Sequence, residues 1–552
     1  MNTSVYAAPA DSIFVAKEIL TLAPGAKSGP AALCVRDGMV QAVIPVDDIS
    51  KWAGKHTSIF DFSGRTIMPG FVDPHAHAEV AAKATYQMVD CRAPKNPDIA
   101  AVLNTLREHL DQARDGWLIG QANLFFDKKL TDQRLPTREE LDSVSTDVAI
   151  AIRAGGHLSI LNSRAMEIAG IDESFEAVNH SITGKPSVHR DENGRPTGVV
   201  TEMDKLLPFP SLSPEETHFA IEKGINELFT SNGVTTIGEI TDTLEATKIF
   251  DQALIEERIH ARIHLYLWTP GTVSLEEACN FRNWAFFESD ESFLRIQGVK
   301  AFSDGGYSAK KAALNHPYAQ EEHNCGEIAL SNDEIIELAT RTQEAGLQLA
   351  IHANGDRAQL EVCHALEQIP RDANTPKIRI EHAGNFMPNY EELTTAWKSA
   401  DIIPVPQPVF IYNFGEFVPD YVGEYARERQ FPFKRLLEDG WNISGSSDVW
   451  VGSEVGQTNP FLSVYSTIAR RTFHNQELPL NENITILEAL RMHTIGGAAA
   501  LGMEHTRGSL EPGKFADFIT LDMNPMHVKP EDLLNIKVED VFIGGKQVHT
   551  RE

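Results

Sequence analysis

Short apolar segments that end in a histidine or an aspartate recur along this chain, and they constrain its fold more than any other feature. The first leads through Pro69-Gly70 to His75 and His77. Alternate residues of a strand share a face, so these two histidines point the same way and can hold one metal ion. Three later segments, residues 347–352, 377–382 and 442–448, also end in a histidine or an aspartate. A single pair has a plain structural alternative, but four such ends together favour a metal centre.

Metal ligands at the C-terminal ends of successive parallel strands are typical of a (β/α)8 barrel. Strand and helix patterns alternate through the central part of the chain, which predicts a parallel sheet. The first strand ends at His77, and seven further candidates lie at residues 234–239, 263–268, 296–302, 347–352, 377–382, 401–405 and 442–447. The predicted fold class is therefore α/β, a (β/α)8 TIM barrel.

The interval between the first two barrel strands is too long for one crossover. We interpret residues 85–210 as an inserted α+β domain after strand one that contributes to the active-site entrance. Both chain ends are rich in short strand patterns, and Asp37-Gly38 between apolar runs predicts a hairpin. Residues 1–69 with 505–552 are predicted to form a small β-sandwich, and residues 70–84 with 211–504 the metal-dependent barrel.

Charge and cysteine content narrow the possible partners and the compartment. The formal net charge of −29 argues against nucleic acid and anionic membranes as partners. Residues 1–10 lack a basic region followed by an apolar run, so no secretion signal is predicted, and no stretch approaches the roughly 20 apolar residues of a membrane helix. We expect a cytoplasmic protein that binds a small-molecule substrate and forms a homo-oligomer, a dimer. Five sparse cysteines without C-x-x-C spacing predict reduced thiols: Cys34, Cys91, Cys279, Cys325 and Cys363.

The motifs resemble those of a known family. The His-x-His after Pro-Gly-Phe-x-Asp, the strand-end His352 and His382, and the Ser-x-Asp that ends at Asp448 look like the amidohydrolase superfamily. Residues 156–165, 299–305 and 352–358 are similar to the YtcJ-like branch (amidohydrolase family 3), which includes N-substituted formamide deformylases. The resemblance spans nearly the whole chain and is more specific for fold and metal chemistry than for substrate.

The resemblance implies a site for one or two metal ions, most plausibly zinc, with manganese, iron and cobalt as alternatives. One ion would be held by His75, His77 and Asp448, and a second by His352 and His382.

Strand alternation directs Lys300, Phe302 and Asp304 inward. In related amidohydrolases a lysine in this strand is carboxylated and its carbamate bridges both metals. The alternative is a lysine paired to a nearby carboxylate such as Asp304, with one metal only.

Catalytic roles follow from the same set. Asp448 is predicted to be the general base that takes a proton from the metal-activated water, and His157 a hydrogen-bond donor to the substrate carbonyl. No Gly-x-Ser-x-Gly elbow is present. Asp356 and Arg357 are interpreted as orienting His352 or capping the next helix. The residues predicted to bind substrate are Phe302, Asp304, Tyr307, Gln407 and Trp450.

The predicted function is metal-dependent hydrolysis of a C–N bond, in an amide, an N-substituted formamide or a carbamate that carries an apolar group. One alternative is an aromatic-amine or imine deaminase, which activates water in the same way. Another is a regulatory protein that has kept the barrel and lost turnover, although such a protein has no need of a hydroxide-generating base.

Overall fold

The structure is a computed structural model that describes residues 8–25, 29, 31–177, 182–371 and 375–551. Its strands are β1 Ala10–Ile19, β2 Ala31–Arg36, β3 Met39–Ile44, β4 Ala53–Pro69, β5 Phe71–Ala76, β6 Val89–Asp90, β7 Trp117–Ala122, β8 Ala149–Ala154, β9 Leu158–Leu161, β10 Ser187–Arg190, β11 Pro196–Thr201, β12 Val234–Thr241, β13 Arg262–Trp268, β14 Leu294–Phe302, β15 Gln348–His352, β16 Arg379–Glu381, β17 Ile403–Val405, β18 Phe518–Leu521, β19 Val538–Ile543 and β20 Lys546–Thr550.

Helices follow most of the central strands, and several begin with a capping box, in which a Ser or Thr and a Glu three residues later satisfy the first free N–H groups. The α-helices are α1 Ile49–Trp52, α2 Ala78–Gln87, α3 Ile99–Glu108, α4 Phe126–Lys129, α5 Arg138–Asp142, α6 Ser163–Ala169, α7 Pro214–Gly224, α8 Leu244–Ile255, α9 Leu275–Cys279, α10 Asn332–Glu344, α11 Asp356–Leu366, α12 Tyr390–Ser399, α13 Phe410–Phe414, α14 Val418–Val422, α15 Phe433–Glu438, α16 Pro460–Ala469, α17 Ile486–Arg491 and α18 Gly497–Ala500.

Seven parallel strands form a nearly closed barrel in the order β5-β12-β13-β14-β15-β16-β17. Side chains alternate as strand geometry requires: on β14, Val299 and Ala301 pack in the core beneath the helices, whereas Phe302 joins an apolar cluster with Trp268 and Trp450. The α/β fold with a parallel barrel agrees with the predicted class.

The predicted eighth strand, residues 442–447, is not a strand in the structure. This segment still lies between β17 and β5, where Asp448 N donates to His75 O and His77 N donates to Val449 O, at 2.8 and 2.9 Å. Towards β17, the contact runs through the side chain of Ser446, whose Oγ donates to Pro406 O at 3.0 Å. Because side chains replace the ladder on that edge, the segment closes the barrel without regular strand pairing.

Both chain ends join one seven-stranded sheet in the order β20-β19-β18-β4-β1-β2-β3. The predicted hairpin is confirmed, since β2 and β3 pair antiparallel and both Asp37 and Gly38 have positive φ. The chain passes from this sheet into the barrel at Gly70, where a Cβ would come within 2.3 Å of Thr235 Oγ1. The description of this region as a two-layer sandwich stays a prediction.

A third sheet, β10-β11-β9-β8-β7-β6, lies in the part of the chain between β5 and β12, in the interval predicted to be an insertion. It has its own apolar core around Leu118, Ile150 and Ile152. The domain boundaries at residues 69, 84, 210 and 504 stay a prediction. Across all the residues described, no helix combines the length and the apolar character needed to cross a lipid bilayer.

Candidate metal centre and active site

The C-terminal ends of the barrel strands bring six predicted site residues together. His75 lies at the end of β5 and His352 at the end of β15, while His77 and His382 each follow a strand end. Lys300 lies near the end of β14, and Asp448 comes from the segment that closes the barrel. Except for Asp448, each of these residues is almost completely buried, so their polar atoms face one another rather than solvent.

Three of these side chains form a compact ligand set. Potential ligand atoms of His75, His77 and Asp448 all lie within 4.8 Å of one another. Asp448 Oδ1 is 3.3 Å from His75 Nε2 and 3.6 Å from His77 Nε2. Two imidazoles and a carboxylate suit zinc and similar cations.

The hydrogen bonding of these ligands fits a cation. Nδ1 of His75 donates to Glu381 Oε2 at 2.6 Å, so Nε2 presents its lone pair towards Asp448. His77 Nδ1 is buried and has no hydrogen-bond partner within the described ranges. Burial, followed by the neighbouring charges of His75 and Lys300, holds the pKa of His77 well below its ordinary value. A buried neutral imidazole with a free lone pair on one ring nitrogen is the form that binds metals.

Glu381 was not predicted, yet it fixes the orientation of His75. It is fully buried, and Arg379 donates to both of its oxygens, at 2.8 and 2.9 Å. Burial raises the pKa of Glu381, but the charges of Arg379 and His75 outweigh it and hold that pKa well below the ordinary value. A carboxylate that receives the second N–H of a ligating histidine commonly sets its tautomer. Strand alternation was the available signal, because Arg379 and Glu381 alternate with the outward-facing Ile378 and Ile380.

His352 and His382 lie beside this set. His382 Nε2 is 3.0 Å from His352 Nδ1, and His382 Nδ1 donates to Gln407 Oε1 at 2.7 Å. The distance from His382 Nδ1 to Asp448 Oδ2 is 4.0 Å. Burial above all lowers the pKa of both imidazoles well below the ordinary value, so both are neutral.

Lys300 faces the same space, with Nζ 3.2 Å from His75 Nε2. Burial lowers the pKa of Lys300 to about 8, although Glu381 and Asp448 act to raise it. The alternative partner considered for this lysine, Asp304, is wrong: Asp304 accepts the backbone N–H groups of Ala313, Asn354 and Gly355 at 2.8–2.9 Å. Its oxygens are therefore committed to the loops that follow β14 and β15.

His157 enters the site from the segment between β8 and β9. Its Nδ1 donates to Glu202 Oε2 at 2.8 Å, and Gly306 N donates to the other oxygen of Glu202 at 3.0 Å. Burial lowers the pKa of His157, but the charge and the hydrogen bond of Glu202 outweigh it, so the pKa lies above its ordinary value. The raised pKa favours the imidazolium form, in which the second ring nitrogen also carries a proton and can donate towards the cavity.

A cavity opens over the ligand set, and two of the five predicted substrate contacts, Tyr307 and Trp450, line it together with His157 and Asp448. Trp450 stacks on His77 with ring centroids 4.0 Å apart. The apolar part of the wall consists of Leu124, Phe125, Phe410, Phe414 and Val451, and no lysine or arginine of the described residues lines it.

The other three predicted substrate contacts lie behind this wall. Phe302 packs against the His352 ring at 4.7 Å, and Gln407 bonds His382 and Ser446. Together with Asp304, they hold site residues in place instead of lining the cavity. Asp356 and Arg357 do not contact His352: Asp356 is bound by Asn315, and Arg357 donates to backbone carbonyls of the β14–α10 loop.

Comparison with known proteins agrees with this architecture. Residues 58–549 match the model of the Amidohydrolase family. The N-substituted formamide deformylase of Arthrobacter pascens is 27% identical over 539 residues, which cover 93% of this chain and 94% of that protein. The putative amidohydrolase YtcJ of Bacillus subtilis (strain 168) is 24% identical over 538 residues, 94% of this chain and 96% of that protein. The resemblance to the YtcJ-like branch is thereby confirmed.

Solved structures share the fold. An uncharacterized metal-dependent hydrolase from Pyrococcus furiosus matches with a TM-score of 0.69 and 24% identity, covering 93% of this chain and 99% of that one. With the family model matching from residue 58 to residue 549, this chain belongs to the amidohydrolase family.

Proposed function

We propose that this protein is a metal-dependent hydrolase of C–N bonds other than peptide bonds, acting on an amide, an N-substituted formamide or a carbamate with an apolar group. The observation that carries the proposal is the convergence of His75, His77 and Asp448, from opposite ends of the barrel sequence, within 4.8 Å beneath an apolar-walled cavity. The name of the Arthrobacter relative supports a formamide among these substrates.

In this proposal, His75, His77 and Asp448 hold one divalent ion, with zinc first and manganese, iron or cobalt as alternatives. When bound, such an ion lowers the pKa of a coordinated water and polarises a carbonyl. A second ion would be held by His352 and His382, and Lys300, as its carbamate, would be a ligand shared by both ions. The lowering of the Lys300 pKa to about 8 supports this role, because it increases the share of neutral amine, the form that reacts with carbon dioxide.

Two side chains are proposed to move or hold protons. Asp448 accepts the proton of the attacking water as the C–O bond forms, and it returns that proton to the amine nitrogen as the C–N bond breaks. Burial raises the pKa of Asp448, which brings its proton affinity closer to that of a working base. His157, anchored by Glu202, donates a hydrogen bond to the substrate carbonyl oxygen where negative charge develops.

The cysteines bear on the cellular compartment that is proposed for the protein. All five are free in the structure, and burial raises the pKa of Cys91 and Cys363 to about 12, which keeps them as inert thiols. Free thiols support the prediction of a cytoplasmic protein. The predicted homodimer stays a prediction.

The test is a substrate panel on protein loaded with zinc, containing N-aryl and N-alkyl formamides, the matching acetamides and carbamates, and aromatic amines. We expect release of an acid and an amine in equal amounts, abolished in a His77→Ala control. Ammonia release from a ring amine would instead identify a deaminase. Absence of turnover on the whole panel by fully metal-loaded protein would favour a binding protein on this fold.

A further inference from the structure

The loop of residues 448–457 carries Asp448 and Trp450 of the proposed site, and none of its residues belongs to a strand or helix. Asp448 has a φ of 45°, in the left-handed region that residues other than glycine rarely adopt. Two residues on, Trp450 stacks on His77. A conformation of this kind persists only where surrounding contacts determine it.

The strongest such contact comes from the segment between β5 and β12. Glu454, in the middle of the loop, is buried and bound by two residues of that segment: Lys129 Nζ lies 2.5 Å from Oε1, and Asn123 Nδ2 donates to Oε2 at 2.8 Å. Lys129 is also buried, 4.9 Å from the centre of the Phe473 ring. Both side chains are shielded from solvent, so loss of either partner would leave an uncompensated buried charge.

One amide side chain connects this ion pair to the backbone of Asp448. Gln457 accepts from Glu454 N at 3.0 Å with its Oε1, and its Nε2 donates to Ser447 O at 2.8 Å. Gln457 Oε1 also accepts from Asn413 Nδ2 in α13, at 2.7 Å. A continuous set of hydrogen bonds therefore joins the backbone of Glu454 to the peptide that precedes Asp448.

Two backbone contacts hold the loop from the same side. Arg92 donates to Ser453 O at 2.6 Å, and Gly452 N donates to Gln121 Oε1 at 3.2 Å. Gly452 has a φ of 73°, and a Cβ there would come within 1.9 Å of Ala122 O. The loop is thus pressed directly onto β7.

We propose that the Lys129–Glu454 ion pair is a positioning device, through which the segment between β5 and β12 sets the orientation of Asp448 and the stacking of Trp450 on His77. This inference rests on the proposed function, since it assigns the pair a role in the same reaction. Lys129 and Glu454 touch neither the ligand set nor the cavity, so they act through the loop.

The experiment compares Glu454→Gln and Lys129→Met with the wild type, all loaded with zinc. We expect kcat to fall by about 10- to 100-fold, a larger factor than any rise in KM from the displaced Trp450, because a misplaced base slows the chemical step more than binding. Asn123→Ala, which removes one bond and keeps the ion pair, should give a smaller loss. The matched control is Asp517→Asn, which breaks the buried Arg262–Asp517 pair (2.7 Å) at the opposite end of the barrel and should leave kcat unchanged.

A spectroscopic readout needs no substrate. The emission of Trp450, taken as the difference between each protein and its Trp450→Phe counterpart, should change in Glu454→Gln and not in Asp517→Asn. This arm holds even if no substrate is found, so failure of the proposed function and failure of the positioning role are distinguishable.

The double variant Lys129→Met/Glu454→Met separates folding from positioning. An apolar pair of similar size removes the unpaired buried charge and should restore the melting temperature. Methionine cannot hold Asn123 in the same way, so kcat should stay low and the Trp450 emission should stay altered. Full recovery of kcat in the double variant, or unchanged kcat and emission in both single variants, would overturn the proposal and leave the pair a purely structural contact.

Discussion

At the residue scale, the site depends on a backbone conformation with positive φ, which residues other than glycine rarely adopt. His382 has a φ of 73°, Asp448 of 45° and Glu202 of 55°. In a regular strand His382 would share the outward face of Ile380, and its positive φ turns the imidazole back into the barrel. Such strained residues cluster where function requires a particular direction. These three positions combine that backbone with contacts to the proposed ligands or to His157.

The role of Asp448 leads to a first prediction. Asp448→Asn should retain most of the metal, because an amide oxygen still coordinates weakly and both histidines remain. Turnover should fall on the order of 10²- to 10⁴-fold, since the amide cannot accept a proton. Elemental analysis and kcat measured on the same preparation check both halves. Near-normal kcat would assign the base to a residue other than Asp448.

Lys300 gives the second prediction, which decides between a bridging carbamate and a one-metal site. Lys300→Ala should lose the second ion and most activity, because it removes the group that would bridge the two ions. Acetate or propionate, which can occupy the vacated space, should restore part of the activity, and bicarbonate should aid metal reconstitution of the wild type alone. A fully active Lys300→Ala, or a harmless Lys300→Arg, would leave one ion at His75, His77 and Asp448.

At the element scale, the sequence was sufficient to predict the barrel and most of its strand ends. Regular periodicity marks β12 to β17, and the predicted ligands on these strands lie near, at or directly after the strand ends. At this scale, two features were not predicted from the sequence. The segment at 442–447 closes the barrel through side-chain contacts that alternation cannot reveal, and Asp304, Phe302 and Gln407 lie behind the cavity wall because loops from other strands take their polar atoms or cover them. Such contacts arise between elements far apart in sequence.

The packing of the closing segment leads to a third prediction, on pH. Gly445 lies so close to His493 that a Cβ would come within 2.4 Å of its ring, and His493 Nε2 is 2.8 Å from Ser463 Oγ in α16. Burial lowers the pKa of His493 to about 3, below the ordinary value of 6.5. As the pH falls, the unfolded chain therefore binds a proton on His493 before the folded chain does. The contribution of the neutral, buried His493 to the free energy of unfolding is complete above pH 6.5 and is lost as pH falls towards 3.

The variant His493→Gln keeps a polar partner for Ser463 but cannot be protonated. Its free energy of unfolding should therefore fall less between pH 7 and pH 5 than that of the wild type. The difference amounts to about 2 kcal/mol at pH 5 for one such group. Denaturant unfolding of chelator-treated wild type and variant at both pH values measures it, without interference from metal loss. Parallel pH dependence in the two proteins would show that folding does not lower the pKa of His493.

At the scale of the whole molecule, the proposed site draws on regions far apart in the chain. The barrel supplies the ligand set, the segment between β5 and β12 supplies His157 and the Phe125 side of the cavity, and α13 supplies Phe410 and Phe414. Phe125 contacts Phe414 with ring centroids 5.1 Å apart, so the two walls support each other. A ligand bound among them should therefore stabilise the entire fold.

Metal removal tests this coupling and gives the last prediction. An ion that binds only the folded chain stabilises it by about 2.7 kcal/mol when its free concentration is 100 times its Kd. Chelation should lower the melting temperature and abolish turnover together, and zinc should restore both at one to two ions per chain.

In His75→Ala the melting temperature should no longer respond to zinc, because the variant loses a nitrogen held in place by Glu381 and Arg379. A variant of the distant pair, Asp517→Asn, should melt lower and still respond, which separates loss of the ligand from general weakening. Active protein that contains no metal, with a melting temperature indifferent to chelator, would contradict the metal mechanism altogether, and it would move the search for the reacting group from His75, His77 and Asp448 to His157 and Glu202.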